Sequence, residues 1–241
     1  MADKVALVVG AGDGTGGAIA KRFAREGFVA CPVRRSGDKL APLVREIEAA
    51  GGRARAFGCD ARREEQMVAL VAEIERDIGA IEVAAFNVGA NVPASILDET
   101  ARKYFKIWEM ACFGGFLMGR EVARRMVTRS RGTIVYTGAT ASVRGSANFA
   151  AFAGAKHALR ALAQSMAREL GPRGIHVAHV VIDGAIDTEF IRTTFPETYA
   201  LKDQAGILSP EHIAEHFWML HTQPRDTWTF ELDLRPWTER W

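Results

Sequence analysis

The sequence lacks a long hydrophobic run and any block of like charge. MADK leads directly into VALVV, and glycines follow at once, so we expect neither a signal peptide nor a membrane span. Lysine and arginine together number 31 and the acidic residues 29, which leaves a net charge of +2. Because nucleic acids and anionic membranes attract clustered positive charge, we predict that the protein binds neither.

Cysteine is scarce, at three residues in the whole chain. Cys31, Cys59 and Cys112 are an odd number and lie in apolar surroundings, which argues against a framework of disulfide bonds. Free thiols are typical of a reducing compartment, so we expect the protein to be cytoplasmic.

No change of composition, low-complexity tract or proline-rich linker divides the chain, and we predict a single domain over 1–241. Val5 to Val9 is a continuous apolar run, which is typical of a strand buried on both faces of a parallel sheet. Further strands are predicted at 28–33, 53–59, 81–86, 133–137, 175–182 and 227–234, and long helices at 98–126 and 148–170. This alternation predicts an α/β fold, a Rossmann-type doubly wound parallel sheet of about seven strands with helices on both faces.

A glycine-rich turn joins the first predicted strand to the first helix. Gly10, Gly14 and Gly16 form the spacing G-x-x-x-G-x-G, and Gly12, Gly14 and Gly17 form G-x-G-x-x-G. We favour the first spacing because Gly10 directly follows the strand. In such a turn, backbone N–H groups and the positive end of the helix bind the phosphates of a dinucleotide. A tight turn in any α/β protein is the alternative.

The second predicted strand ends in Arg34 and Arg35. In a dinucleotide-binding fold the end of this strand meets the adenosine ribose. An acidic residue there binds the 2′-hydroxyl of NAD, whereas an arginine binds the 2′-phosphate of NADP. Two arginines without an acid therefore predict NADP(H) in preference to NAD(H). The alternative is that both are solvated loop arginines.

The order of elements and several motifs resemble the short-chain dehydrogenase/reductase family over essentially the whole chain. Gly10, Gly14 and Gly16 match the glycine motif of that family, which usually has Thr where Val9 stands here. Asp60 falls where the family holds the adenine amino group, although an Asp before a helix is more often an N-cap.

Two more motifs extend the resemblance. Asn87 lies in the string F-N-V-G, at the place of the family's Asn-Asn-Ala-Gly. After the sixth predicted strand, Asp183 replaces the proline of a common Pro-Gly, and Ile186 and Thr188 fall on positions that meet the nicotinamide carboxamide. The resemblance thus implies a bound nicotinamide cofactor.

Most of the family's reacting residues are missing. The resemblance implies a Ser, a Tyr, a Lys four residues after the Tyr, and an Asn on the earlier long helix. With Lys156 at the lysine, Phe152 stands at the tyrosine, Ala139 at the serine and Ala111 at the asparagine. Phe152 has no proton to give, so the usual acid–base step is lost. Lys156 could still bind the nicotinamide ribose; the alternative is a solvated lysine.

Other polar residues could replace the missing groups. Thr140 and Ser142 lie next to Ala139, and either hydroxyl could replace the serine, although a local bond to backbone is their commoner role. Asp183 could act as an acid if it is buried. Tyr136 is less suited, because it lies on a predicted strand and cannot be a helical partner of the lysine.

Another motif indicates a different chemistry. His212, Glu215 and His216 spell H-x-x-E-H, the inverted zinc-protease pattern on a helix. No second acidic ligand motif follows, so a surface helix is the simpler interpretation and we predict no metal.

The sequence leaves three hypotheses about function. The first is an NADP(H)-dependent oxidoreductase that acts on a small molecule by a route without the usual tyrosine. The second is a catalytically silent NADP-binding protein, and the third, a remote alternative, is a metallohydrolase that uses His212 and His216. Segment 188–208 is predicted to be a substrate lid. The resemblance also implies a homodimer or homotetramer.

Overall fold

One parallel sheet forms the centre of the molecule. The computed structural model describes residues 3–239. Its strands are β1 Asp3–Val9, β2 Val29–Arg34, β3 Arg53–Ala54, β4 Phe57–Gly58, β5 Gly79–Phe86, β6 Gly132–Thr137, β7 Ile175–Ile182 and β8 Glu231–Leu234. The order across the sheet is β3-β2-β1-β5-β6-β7-β8, with β4 also paired to β2. The predicted fold class is confirmed.

Helices cover both faces of this sheet. They are α1 Thr15–Arg25, α2 Ala41–Ala49, α3 Glu64–Asp77, α4 Ala101–Trp108, α5 Gly114–Met126, α6 Ala150–Leu170, α7 Glu189–Thr194, α8 Pro196–Tyr199 and α9 Pro210–Thr222. Leu7 of β1 packs in the apolar cluster on the α3, α5 and α6 side, whereas Val8 packs with α1 and α9 on the other side. Successive residues of a strand face opposite sides, so the apolar run of β1 is buried on both. No helix within residues 3–239 is long and apolar enough to cross a bilayer.

The predicted third strand over 53–59 is wrong in one respect, because it is two short strands. β3 and β4 pair with β2 in the same register, Val29 with Arg53 and Val33 with Phe57. The carbonyls of Ala30 and of Arg34 accept bonds on this side of β2. Pro32 lies between these two residues and has no N–H to donate, so the ladder is interrupted there.

The long helix predicted over 98–126 begins later and is not regular throughout. Its N-cap is Thr100, whose Oγ1 accepts a hydrogen bond from the Lys103 N–H at 3.2 Å. A π-helical turn, Glu109–Phe113, separates α4 from α5. π-turns are frequent at functional sites, and this one carries Ala111.

Candidate functional site at the carboxyl edge of the sheet

Two cavities lie side by side where the carboxyl ends of the strands meet. The first has a volume of about 350 Å³ and is lined by residues that follow β1, β2, β4 and β5. We call it the adenosine-side cavity, after the ligand that the sequence predicts beside Arg34 and Arg35. The second, of about 420 Å³, is lined by residues that follow β5, β6 and β7 and by residues of α6. We call it the substrate-side cavity, after the ligand predicted beside Lys156. Asn87, Val88 and Gly89 line both cavities. Doubly wound sheets bind ligands at this edge, beside the point where the strand order reverses.

Backbone atoms pack closely against several glycines of the glycine-rich turn. Gly10 has φ +93°, and a Cβ there would lie 2.6 Å from the Asn87 carbonyl oxygen. A Cβ on Gly16 would lie 2.4 Å from the Gly10 carbonyl oxygen, and one on Gly17 would lie 2.1 Å from that of Gly12. The Asn87 Nδ2 donates to the Gly10 oxygen at 3.1 Å. Glycines of both predicted spacings are therefore required by close packing, because a side chain would collide with backbone.

The beginning of segment 188–208 lies against this turn. A Cβ on Gly14 would be 3.0 Å from the Thr188 Cγ2. Thr188 is the N-cap of α7, and Ile186 lines the substrate-side cavity. The segment itself contains α7, α8 and the 3-10 turn Ala200–Gln204. The structure thus brings Gly14, Ile186 and Thr188 together beside the two cavities.

The adenosine-side cavity carries excess positive charge. Arg34, Arg35 and Lys39 line it together with Asp60 and Arg62. The Arg62 Nε and Nη2 donate to the Asp60 carboxylate at 2.9 and 2.6 Å. Chiefly through these bonds, Arg62 lowers the pKa of Asp60 to about 2. Since Asp60 and Arg62 neutralise each other, the charge of Arg34, Arg35 and Lys39 remains for an anionic ligand.

Asp60 does not cap a helix, so that alternative is wrong. Helix α3 begins at Glu64, and its N-cap residue is Arg63. The Asp60 carboxylate instead accepts from the backbone N–H and the guanidinium of Arg62. Asp60 lines the adenosine-side cavity.

Lys156 is buried at the bottom of the substrate-side cavity, with only 3% of its surface exposed. Its Nζ donates to the carbonyl oxygen of Thr137 at 2.8 Å and to that of Val88 at 3.3 Å. Burial lowers the pKa of Lys156 to about 8. The alternative of a solvated lysine is therefore wrong, because the ammonium is held between the ends of β5 and β6.

Phe152, Ala139 and Ala111 stand at the positions where the sequence predicts the family's Tyr, Ser and Asn. Phe152 and Ala139 line the substrate-side cavity, and the Phe152 ring centroid lies 5.8 Å from the Lys156 Nζ. Ala111 is fully buried in the π-turn, where it clusters with Phe152 and Ala141. The positions implied for Asn, Ser and Tyr thus converge near Lys156 without a hydroxyl or an amide among them.

Thr140 and Asp183 form a pair at the side of the cavity. The Thr140 Oγ1 donates to the Asp183 Oδ1 at 2.5 Å. Asp183 is buried, and the Arg235 Nη1 lies 3.6 Å from its other oxygen. Thr140 lines the cavity, whereas Asp183 is not one of the lining residues. The sequence does not indicate that Arg235 belongs to this site, because only the pairing of β8 with β7 brings it near Asp183.

The other candidate proton donors face away from the cavity. The Tyr136 hydroxyl donates to the Gly115 carbonyl oxygen at 3.3 Å and contacts the Met166 Sδ at 3.1 Å. The Ser142 Oγ is buried and accepts from the backbone N–H of Ala139. Burial raises the pKa of the neighbouring Cys112 thiol to about 11. The described residues that line the substrate-side cavity include no Tyr, His, Cys, Asp or Glu.

The H-x-x-E-H motif on α9 does not assemble a ligand set. His212 is exposed, and the Glu215 carboxylate binds the Arg22 Nε at 2.7 Å. Within residues 3–239 no group of three His, Cys, Asp or Glu side chains could hold a metal ion. The motif is a surface helix that packs on α1.

The fold and the two cavities define a Rossmann-type nucleotide-binding protein. A family model described as short chain dehydrogenase matches residues 4–198. The chain belongs to the short-chain dehydrogenase/reductase family, whose activity is that of oxidoreductases.

Individual relatives agree with this assignment. The short-chain reductase protein NovJ of Streptomyces niveus is 31% identical over 189 residues, which are 78% of this chain and 71% of NovJ. A solved short-chain dehydrogenase from Rhodopseudomonas palustris is 48% identical over 97% of this chain and 99% of its own, with a TM-score of 0.84. A metagenomic short-chain oxidoreductase in complex with NADP is 25% identical over 99% of both chains, with a TM-score of 0.85.

Proposed function

We propose that this protein is an NADP(H)-dependent oxidoreductase that transfers hydride to or from a small molecule without a tyrosine as general acid. The observation that carries the proposal is the Lys156–Phe152 pair. Lys156 keeps its buried place at the cavity, whereas the ring beside it has no ionisable group.

The residues at the sheet edge fit the cofactor. Gly10 and Gly16 leave no space for a Cβ, so backbone alone faces the phosphate side of the turn. Arg34 and Arg35 would bind the 2′-phosphate, and Lys156 would bind the nicotinamide ribose. NADPH supplies the hydride. The NADP complex of the metagenomic relative supports the choice of cofactor, and we extend the cofactor role to Gly14, Asp60, Asn87, Ile186 and Thr188.

The lining of the substrate-side cavity restricts the reaction. General acid catalysis contributes about 100- to 10,000-fold to a rate. Lys156, whose pKa is about 8, is the one side chain of the described lining that titrates near neutral pH, but its ammonium is bound to two backbone carbonyls. Hydride addition to an activated alkene or an iminium needs less proton assistance than addition to a ketone. Thr140, whose proton is bound by Asp183, remains a hydrogen-bond acceptor at this cavity. We propose activated alkenes as the substrate class, because the two charged side chains of the described lining, Lys156 and Arg144, are cations and disfavour an iminium ion.

A catalytically silent NADP-binding protein is the second candidate. It is favoured by the joint replacement of three reacting positions, Ala111, Ala139 and Phe152, in one site. The two candidates agree on cofactor binding and differ on turnover.

Two measurements test the proposal. Titration of NADPH fluorescence should show binding, and the absence of binding at micromolar protein would reject both candidates. Oxidation of NADPH is then followed with a panel of aldehydes, ketones, enones and imines. We expect turnover with enones above that with ketones and imines. A panel without any turnover would favour the silent protein.

We further propose the properties that the family implies for the rest of the chain. The groove between α5 and α6 is lined by apolar side chains such as Phe116, Val127 and Met166, and would form the interface of a homodimer or homotetramer. The chain would act as one domain with 188–208 as a lid. Its three cysteines are free and buried, in keeping with a cytoplasmic location. Sedimentation velocity tests the oligomeric state.

A further inference from the structure

We propose that Arg144 recognises an anionic group of the substrate, and that the substrate is a carboxylate on an otherwise apolar body. The inference rests on the proposed function, because it concerns the substrate of the same site. It names the chemical group that the cavity selects and the residue that selects it.

The lining of the substrate-side cavity is mostly apolar. Its apolar side chains are Val88, Ala139, Ala141, Phe149, Phe152, Ile182 and Ile186. Two described lining residues carry a charge, Lys156 and Arg144, and both are cations. A ligand that fills this cavity therefore meets apolar surface and positive charge, a combination that suits an apolar anion.

The two cations differ in what they already bind. The Lys156 ammonium donates to two backbone carbonyls and is almost fully buried. The Arg144 side chain is 47% exposed, and its Nη2 lies 3.9 Å from the Glu239 Oε1. That distance is too long for a hydrogen bond. Among the described residues, this ion pair is the polar contact of the Arg144 guanidinium, so its N–H groups remain for a ligand.

A backbone hydrogen bond fixes Arg144 beside Thr140 and Ala139. The N–H of Arg144 donates to the Thr140 carbonyl oxygen at 3.1 Å. Thr140 and Ala139 line the same cavity. The anionic group of a substrate held by Arg144 would thus lie on the side of the cavity formed by Ala139 and Thr140.

A carboxylate is the group that matches this side chain best. The guanidinium is a planar fork that can donate two parallel hydrogen bonds to a carboxylate, whereas an ammonium cannot. Glu239 shows that a carboxylate reaches the guanidinium from the side of the chain terminus. Because a half-exposed pair at this distance contributes little free energy, a substrate carboxylate would displace Glu239 at little cost. Glu239 is then an internal competitor.

The test compares a carboxylate with its neutral amide. Calorimetry measures the binding of cinnamate and of cinnamamide to the full chain, with and without saturating NADPH. We expect cinnamate to bind the protein about tenfold more tightly than cinnamamide, because a hydrogen bond to a charged group contributes about that factor. Arg144→Gln should abolish the difference and leave NADPH binding unchanged. Arg144→Lys should retain only part of it.

Two further variants make the test specific. Arg168→Gln removes an exposed arginine on α6 that does not line the cavity, and should leave the preference intact. Glu239→Gln removes the competitor and should strengthen cinnamate binding without strengthening that of cinnamamide. Equal binding of the two compounds, binding of neither, or a preference that survives Arg144→Gln would overturn the inference. Failure of NADPH to bind would instead reject the proposed function, and the measurements without NADPH separate the two results.

Discussion

The ammonium nitrogen of Lys156 lies 5.8 Å from the ring centroid of Phe152. A phenol at this place would be acidified by the neighbouring cation, because a nearby positive charge favours the phenolate. A phenyl ring offers the cation only its π face. The pair therefore places a positive charge beside a ring that has no proton to donate.

A phenol at position 152 together with a hydroxyl at position 139 should allow the protein to reduce carbonyl compounds. We expect the double variant Ala139→Ser, Phe152→Tyr to reduce aldehydes or ketones about 100- to 10,000-fold faster than the wild type, the usual contribution of general acid catalysis. The measurement is NADPH oxidation with the substrate panel. Phe152→Leu is the matched control and should show no gain. If the double variant binds NADPH without faster reduction, Phe152 does not occupy the tyrosine position.

Cofactor affinity should depend on the protonation of Lys156. Burial lowers its pKa to about 8, so the ammonium is present below that pH and is lost as the pH rises through it. We expect the dissociation constant of NADPH to increase across this range in the wild type. Lys156→Met should bind NADPH more weakly and show no such step. Lys21→Met, at an exposed site, should behave like the wild type. If the dissociation constant of NADPH still rises near pH 8 in Lys156→Met, another titrating group causes the change.

The preference for NADPH should depend on the arginines after β2. Arg35→Gln would remove one of the donors that we propose for the 2′-phosphate, and we expect NADPH to bind about 10- to 100-fold more weakly, the range for a hydrogen bond to a charged group. The affinity for NADH should stay the same. Arg45→Gln on α2 is a control at an exposed position. An equal loss for both cofactors would mean that Arg35 acts on the fold rather than on the phosphate.

Two glycines of the turn should respond differently to the same change. Gly16→Ala would place a Cβ 2.4 Å from the Gly10 carbonyl oxygen, whereas a Cβ on Gly12 has no atom within 4 Å. We expect Gly16→Ala to lower the Tm by several degrees, since a core backbone clash costs about 1–3 kcal/mol. Gly12→Ala should leave the Tm unchanged. Equal Tm values for the two variants would contradict the observed packing of the turn.

Buried histidines should make the protein sensitive to acid. Burial lowers the pKa of His179 to about 4 from an ordinary value of 6.5. Between these values the unfolded chain binds a proton that the native state does not, so the free energy of unfolding falls as the pH drops from 6.5 towards 4. For His179 the loss is about 3 kcal/mol. Denaturant unfolding at several pH values should show a flatter dependence in His179→Gln, and no change in His212→Gln, where the imidazole is exposed.

The sequence by itself determined the class of protein and predicted which reacting groups its site lacks. Apolar runs such as Val5–Val9 are local patterns with the period of a buried strand, and the first β–α turn needs glycine because backbone packs on backbone. The four-residue spacing of Phe152 and Lys156 puts both on one helix face. These features depend only on residues near one another in the chain, so they are visible without a structure.

Only the tertiary structure decided which side chains are partners. Asp183 lies near Arg235 because β8 pairs with β7. Arg144 lines the substrate-side cavity and lies near Glu239 because two segments that are distant in the chain, one after β6 and one after β8, meet there. Such contacts join residues that are 52 and 95 positions apart. The spacing of residues along the chain does not predict these contacts. The order of strands in the sheet and the course of the loops bring the charged residues together.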